Sequence, residues 1–394
     1  MLWRYGRSKL GKTTSLSPSA MTTMNWLRGV AAVAVLLGHA RGLFMQDFGQ
    51  LENRSVLWKA FYFVSALGHE AVMVFFILSG FLVGSTVLAQ IADGRWALGD
   101  YMSRRMTRLY VVLIPGLLLT AAWDAAGMRL FGTAGIYGGV INARYLTLPD
   151  VTVTQSWGHF FGNVGFLQHL FIQSYGSNGP LWSLPYEFWA YLLFPFLVLA
   201  GRSDLSTSKR LVYAVVTCGA IICGGWKLGL YLGIWLIGAA LALWWRNVRV
   251  GATPTWAIIC LWGLFALALL FGNATKAYGT YAEILLGLAT AALLAGTLAR
   301  PDAKVPTRAH RISERAAAGL AGFSYTLYVA HYPVLTFLFA ATMDGNRWVA
   351  SAKSVALVLG ISAGLMLYAY LVAQLSEAHT DKLRVWLRKR LQPA

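Results

Sequence analysis

The feature that most constrains this chain is the length of its apolar runs. Ten of them, each about 16 to 23 residues, cover 24–44, 70–91, 107–125, 181–201, 211–226, 228–245, 255–272, 281–299, 319–341 and 355–375. Runs of this length are what a helix needs to cross the hydrocarbon core of a bilayer. The fifth and sixth are joined by almost no loop. Composition agrees: 57% of the residues are hydrophobic and only 12% are charged. That much apolar surface cannot all be buried in an aqueous globule, and disorder needs low hydrophobicity instead. The three cysteines, Cys218, Cys223 and Cys260, all lie in apolar runs, which argues against a disulfide scaffold. The expected fold class is therefore an all-α polytopic membrane protein with about ten transmembrane helices.

A net charge of +18 invites a nucleic-acid reading. The placement of the charges points elsewhere. With a cytoplasmic N-terminus, 23 of the 33 Lys and Arg residues fall in inner segments and nine in outer ones, and Arg28 lies inside the first span. High and low counts alternate at every internal loop, as the positive-inside rule requires. Both termini are then expected in the cytoplasm, and no nucleic-acid partner is implied. No small-residue cleavage site follows the first apolar run, so it does not read as a signal peptide. The expected organisation is a mobile basic tail over 1–23, a transmembrane domain over 24–377 and a basic cytoplasmic tail over 378–394. One long outer segment, 126–180, is aromatic and Gly-rich. Irregular backbone there must pack against protein or a water-filled cavity.

Ionisable residues inside spans are costly, so each is a functional candidate. Arg28 and His39 are eleven residues apart in the first span. Eleven helical steps fall about 20° from three full turns, which puts both on one face, roughly 16 Å apart along the axis. His39 can act as a general base or form a structural hydrogen bond. Ser79 and Gly80 form a small patch that admits a neighbouring helix or a ligand chain. Arg105 and Arg108 are i,i+3 neighbours, fit either as topology determinants or as a phosphate clamp. Glu187 lies about two turns into an apolar run, behind Trp182 and Ser183, and needs a partner or a proton. Pairing with His39 would orient the imidazole. Ser324, Tyr328 and His331 follow i, i+4, i+7 spacing on one face, and Pro333 frees a backbone carbonyl. Glu377 and His379 read as a capping feature. Asn163 and Gln168 lie among aromatics, a mixture that suits a sugar or an interfacial helix. The histidines are too dispersed to imply a metal site.

These stretches, taken in order, resemble acyltransferase family 3, whose members mostly O-acetylate extracytoplasmic polysaccharides. The resemblance rests on Arg28 with His39, on Phe75-Phe76-Ile77-Leu78-Ser79-Gly80-Phe81, and on Arg105 with Arg108. Asn163-Val164-Gly165-Phe166-Leu167-Gln168, Leu181-Trp182-Ser183-Leu184-Pro185-Tyr186-Glu187 and Ser324-Tyr325-Thr326-Leu327-Tyr328-Val329-Ala330-His331 complete it. It implies ten core spans in a bacterial cytoplasmic membrane, a cytoplasmic acyl-CoA donor (acetyl-CoA in the first place), and a carbohydrate acceptor outside. It implies His39 as the essential base and Arg28 as a required partner on its face. Arg105 and Arg108 would meet the CoA phosphates. Ser79, Gly80, Trp182, Ser183 and Glu187 would line the acyl and acceptor passage, and Tyr328 and His331 would join the substrate site. The family often places Pro two residues after the second arginine; here Tyr110 stands there and the nearest proline is Pro115. Some relatives carry an appended esterase-like domain, and none is expected here.

Acyl transfer from a thioester to a hydroxyl needs a base for the hydroxyl proton and stabilisation of the oxyanion. No membrane Ser sits in a Gly-x-Ser-x-Gly elbow, which favours direct transfer over an acyl-serine. The rival from another class is a proton-coupled transporter or flippase, which would also use intramembrane Arg, His and Glu. Its frequent mark, an inverted repeat, is not found in the sequence.

Overall fold

The computed structural model describes residues 16–140, 149–248, 251–275, 281–300, 307–343 and 346–391. Among them the regular structure is helical, with two isolated bridges and no strand. In order, the α-helices are α1 (Pro18–Phe44), α2 (Val56–Val64), α3 (Gly68–Ala92), α4 (Leu98–Phe131), α5 (Val151–Thr154), α6 (Trp157–Val164) and α7 (Leu184–Ala200). Then come α8 (Thr207–Asn247), α9 (Thr255–Thr275), α10 (Tyr281–Leu298), α11 (Arg308–Gly322), α12 (Ser324–Thr342), α13 (Ala352–Leu375) and α14 (Thr380–Leu391).

Eight helical stretches among the described residues are long and apolar enough to cross a membrane. Two local features relate these eight to the ten expected runs. α8 is 41 residues long and holds both the fifth and the sixth. It is interrupted at Gly225, whose backbone is left-handed (φ 76°), a conformation that only glycine adopts without strain. α12 holds most of the ninth run but is not one of the eight. Its tyrosines, hydroxyls and His331 lower its hydropathy. The protein is a multi-pass, all-α membrane protein.

Several boundaries move. α1 begins at Pro18, within the stretch expected to be a tail. Ser17 accepts the Ala20 amide at 3.2 Å, and proline is well suited to a first helical position. α4 begins at Leu98, nine residues before the expected third span, so Arg104, Arg105 and Arg108 lie within it and Pro115 does not end it. The C-terminal tail is helical over α14. Among the basic residues used for topology, Arg4, Arg7, Lys9, Lys12, Arg144, Arg249, Lys276 and Lys304 lie outside the described residues.

The chain forms two compact units. One takes in Met73–Leu98 and Tyr186–Arg315, with Met1–Asn25. Inside it α3 and α8 touch backbone to backbone. A Cβ on Gly80 would lie 2.0 Å from the Trp235 carbonyl oxygen, and one on Gly238 would lie 2.1 Å from that of Ile77. α9 and α10 pack antiparallel, with Gly296 against Leu261 and Ile258.

The other unit takes in Trp26–Val72, Gly99–Pro185 and Ala316–Ala394. In it Arg28 reaches Ser324 and His39 reaches His331, so α1 and α12 run parallel. Eleven residues of α1 match seven of α12, a mismatch of about 6 Å that the long arginine side chain bridges. At the end of α1, Arg347 donates to the carbonyls of Gly42 (3.2 Å) and Met45 (3.1 Å) and forms a two-pronged ion pair with Asp47 at 2.8 and 3.1 Å. A cation beside the last carbonyls of a helix is favourable. Both members of this pair are buried.

The irregular strap that follows α6 is held by amides. Asn163 Nδ2 donates to the His159 and Gln173 carbonyls, and its Oδ1 accepts the Tyr175 amide. Gln168 Nε2 donates to Leu181. Both residues are fully buried, and these amide groups bond the backbone of the strap.

Candidate active site

His39 and His331 form the centre of the second unit. Their facing nitrogens, His39 Nδ1 and His331 Nε2, are 2.9 Å apart, with ring centroids at 5.2 Å and nearly parallel planes. His331 is 1% exposed, whereas His39 is partly exposed. The other nitrogen of His331, Nδ1, donates to the Leu327 carbonyl at 2.7 Å. Tyr332 closes on the His39 ring edge-on, centroid to centroid 5.0 Å.

One turn before His331 on α12, Tyr328 donates its hydroxyl to the Pro180 carbonyl. Ser183 Oγ lies 2.7 Å from the same hydroxyl and, since that proton is used, is the donor between them. Ser183 and Pro180 belong to the 3-10 turn Gly179–Ser183 just ahead of α7. Trp182, between them in sequence, stacks on His69 with centroids 5.4 Å apart and planes 8° apart. The structure thus brings His39, His331, Tyr328, Ser183 and Trp182 into one connected set within one unit.

The same turn is locked from below. Asn178 Nδ2 donates to Val329 (2.8 Å) and to Thr120 (3.0 Å). Val329 is the residue whose carbonyl Pro333 leaves without its helical N–H. Ser177 donates through its amide (2.8 Å) and hydroxyl (2.6 Å) to Asp124, a carboxylate fully buried on α4. Asp124 was missed in the sequence, although a lone carboxylate inside the third apolar run was the signal. Nearby, burial and then the negative charge of Asp124 push the Tyr137 phenol above its ordinary range.

Arg28 lies at the other end of the α1–α12 contact. Its Nη2 is 3.5 Å from both the Ala321 carbonyl and Ser324 Oγ. Glu377 accepts from the Thr326 amide (3.2 Å) and hydroxyl (2.8 Å), capping the start of α12. Its carboxylate also feels the charges of Arg108 and Arg28. Arg108 is exposed, and Arg105 is partly exposed with its guanidinium 5.5 Å from the Tyr101 ring.

Glu187 has its described partners on α3 and α7. In the first unit its carboxylate accepts from Ser79 Oγ at 2.9 Å and from Tyr191 OH. Ser79 also accepts from Trp235 Nε1 at 3.2 Å. The described partner of His39 is His331. Trp235 was missed in the sequence, and Tyr191, one turn from Glu187, was there to be read. Gly80 makes the helix contact that its small size permits. Among the described residues no group of three or more His, Cys, Asp or Glu side chains is placed to hold a metal ion.

A putative peptidoglycan O-acetyltransferase of Bacillus subtilis (strain 168), YrhL, is 24% identical over 71% of this chain and 46% of its own length. The acyltransferase MdmB of Streptomyces mycarofaciens is 30% identical over 44% of this chain and 38% of its own. An O-acetyl transferase of Shigella phage Sf6 is 28% identical over 42% of each chain. The matches thus span half or less of these relatives' lengths. No solved structure matches. The profile of the family described as the acyltransferase domain matches residues 21–373, nearly the whole chain, and the protein therefore belongs to that acyltransferase family.

Proposed function

We propose that the protein is an integral-membrane O-acyltransferase of the bacterial cytoplasmic membrane. It moves an acyl group, acetyl in the first place, from cytoplasmic acyl-CoA to a hydroxyl of a carbohydrate acceptor on the outer side. The observation that carries this reading is that α1 and α12 meet at two polar points, Arg28 with Ser324 and His39 with His331. One point is cationic and suits an anionic donor; the other is an imidazole suited to proton transfer.

In this reading His39 takes the acceptor's hydroxyl proton as the oxygen attacks the thioester carbonyl. The C–S bond then breaks, and the thiolate recovers that proton from His39, leaving an ester and free CoA thiol. Arg28 stands roughly 16 Å from His39 along α1, too far to meet the oxyanion. It serves with Arg105 and Arg108 to anchor the phosphates of CoA, and the extended arm of the donor covers the distance. Trp182, Ser183 and Tyr328 bound the acceptor side. Glu187 and Ser79 hold α3, α7 and α8 together in the other unit, with Gly80 at the closest approach.

The experiment is acetyl-CoA turnover by purified protein in lipid vesicles, with soluble peptidoglycan fragments as acceptor, comparing the wild type with His39→Ala at matched folded amounts. Release of CoA thiol with acetyl ester on the fragments, lost in the variant, supports the reading. Undiminished turnover in His39→Ala removes His39 as the base. Folded wild-type protein that consumes no acyl-CoA with any carbohydrate acceptor favours a carrier instead.

A further inference from the structure

Resting on the reading of His39 as the base, we infer that His331 is the positioning residue that selects which nitrogen of His39 bears the proton, so that Nε2 is the basic atom. The argument needs only hydrogen-bond valence. A carbonyl oxygen can only accept, so the 2.7 Å contact between His331 Nδ1 and Leu327 O puts a proton on Nδ1. In a neutral His331 the remaining nitrogen, Nε2, is then bare and can only accept. The facing atom 2.9 Å away, His39 Nδ1, must supply the proton of that bond. A neutral His39 with its proton on Nδ1 has its lone pair on Nε2, away from His331.

The reverse arrangement disables the site. If His331 carried a second proton, its Nε2–H would donate to His39 Nδ1. His39, if neutral, would then hold its proton on Nε2 and offer the acceptor hydroxyl no lone pair. The backbone of α12 thus decides, through Leu327 and His331, which face of the His39 imidazole does chemistry. The near-coplanar, side-by-side setting of the two rings and the edge contact of Tyr332 fix the ring plane as well.

This arrangement differs in kind from a carboxylate–histidine pair. His331 is neutral, so it orients His39 without adding a negative charge beside it. The imidazolium formed during transfer gains no ion pair from its positioning residue. The proton is therefore handed on to the departing thiolate rather than held, which suits a single-step exchange of O–H for S–H.

The test uses the full chain in lipid vesicles, labelled with 15N in the histidine rings, with His39→Gln and His331→Gln to assign the signals. Ring-nitrogen shifts distinguish bare from protonated atoms. The expected result is His39 protonated on Nδ1 and bare on Nε2, with His331 protonated on Nδ1. His39 protonated on Nε2 overturns the inference whatever the activity. With acetyl-CoA and soluble peptidoglycan fragments, His331→Phe is expected to lower kcat by ~100-fold, within the range of a lost general base, and to leave KM for acetyl-CoA nearly unchanged. His331→Gln, whose carbonyl can still accept from Nδ1–H, is expected to recover about a tenth or more of wild-type kcat. Full kcat in a folded His331→Phe also overturns it. If the tautomer is as expected but His39→Gln keeps its kcat, it is the reading of His39 as base that fails.

Discussion

Asn178 Nδ2 lies 2.8 Å from the carbonyl oxygen of Val329, the acceptor to which residue 333 would donate if it were not proline. A helix defect and a loop side chain thereby complete each other across 151 residues of sequence. Asn178→Ala is expected to cost about 1–3 kcal/mol, the usual range for orphaning buried hydrogen-bonding groups. In a Pro333→Ala background the cost is expected to be smaller, because the introduced alanine brings its own N–H to Val329. Thermal unfolding of both single variants and the double variant in detergent closes the cycle. Strictly additive losses would show that the two residues do not share that carbonyl.

Gly80→Ala is expected to destabilise the protein by about 1–3 kcal/mol or more, as overpacking does. The atom it meets is the Trp235 backbone carbonyl, 2.0 Å from the new Cβ, and backbone cannot swing aside. Gly233→Ala, on the same α8 but with nothing within 4 Å, is the matched control and is expected to be neutral or slightly stabilising. Equal unfolding temperatures for the two variants would remove the close α3–α8 contact.

Arg347→Ala is expected to cost about 3–5 kcal/mol, because it leaves Asp47 buried without its counter-charge. It also strips donors from the Gly42 and Met45 carbonyls at the end of α1. Arg347→Ala combined with Asp47→Ala is expected to recover part of the loss. Arg347→Lys is not expected to, since an ammonium cannot reproduce the fork. Unfolding in detergent reads all three.

The two ends of the α1–α12 contact are expected to separate in kinetics. Arg28→Ala and Arg108→Ala should raise KM for acetyl-CoA by about tenfold, as expected for lost phosphate contacts worth about 1.4 kcal/mol. His39→Gln should lower kcat by ~100-fold or more with little change in KM. Arg28 variants that lose kcat at unchanged KM would place Arg28 in the chemistry instead of the anchor.

What the sequence revealed follows from range. Long apolar runs specify helices locally, so nearly every helix of the membrane region could be read from its own residues. The carbonyl freed by Pro333 was legible for the same reason. Its acceptor role was visible, but its donor, Asn178, was not. Glu187 was offered as an orienter of His39 because both are ionisable and in apolar runs, and sequence carries no distance between them; the described partner of His39 is His331. Glu187 is satisfied nearer home, by Tyr191 one helical turn away and by Ser79. Asn163 and Gln168 fitted either a sugar or an interfacial helix, because composition cannot distinguish an amide that faces a ligand from one that closes a turn, as these do.

The pairing of His39 with His331 joins positions 292 residues apart, and the Arg347–Asp47 clamp joins positions 300 apart. During synthesis α1 therefore emerges with its histidine unpartnered and must wait for α12. The ring cannot receive its orienting neighbour until residue 331 of 394 has been made, nor can α1 be clamped until residue 347 follows. Nascent chains stalled before α12 would thus insert most of their helices while His39 still lacks its contact with His331.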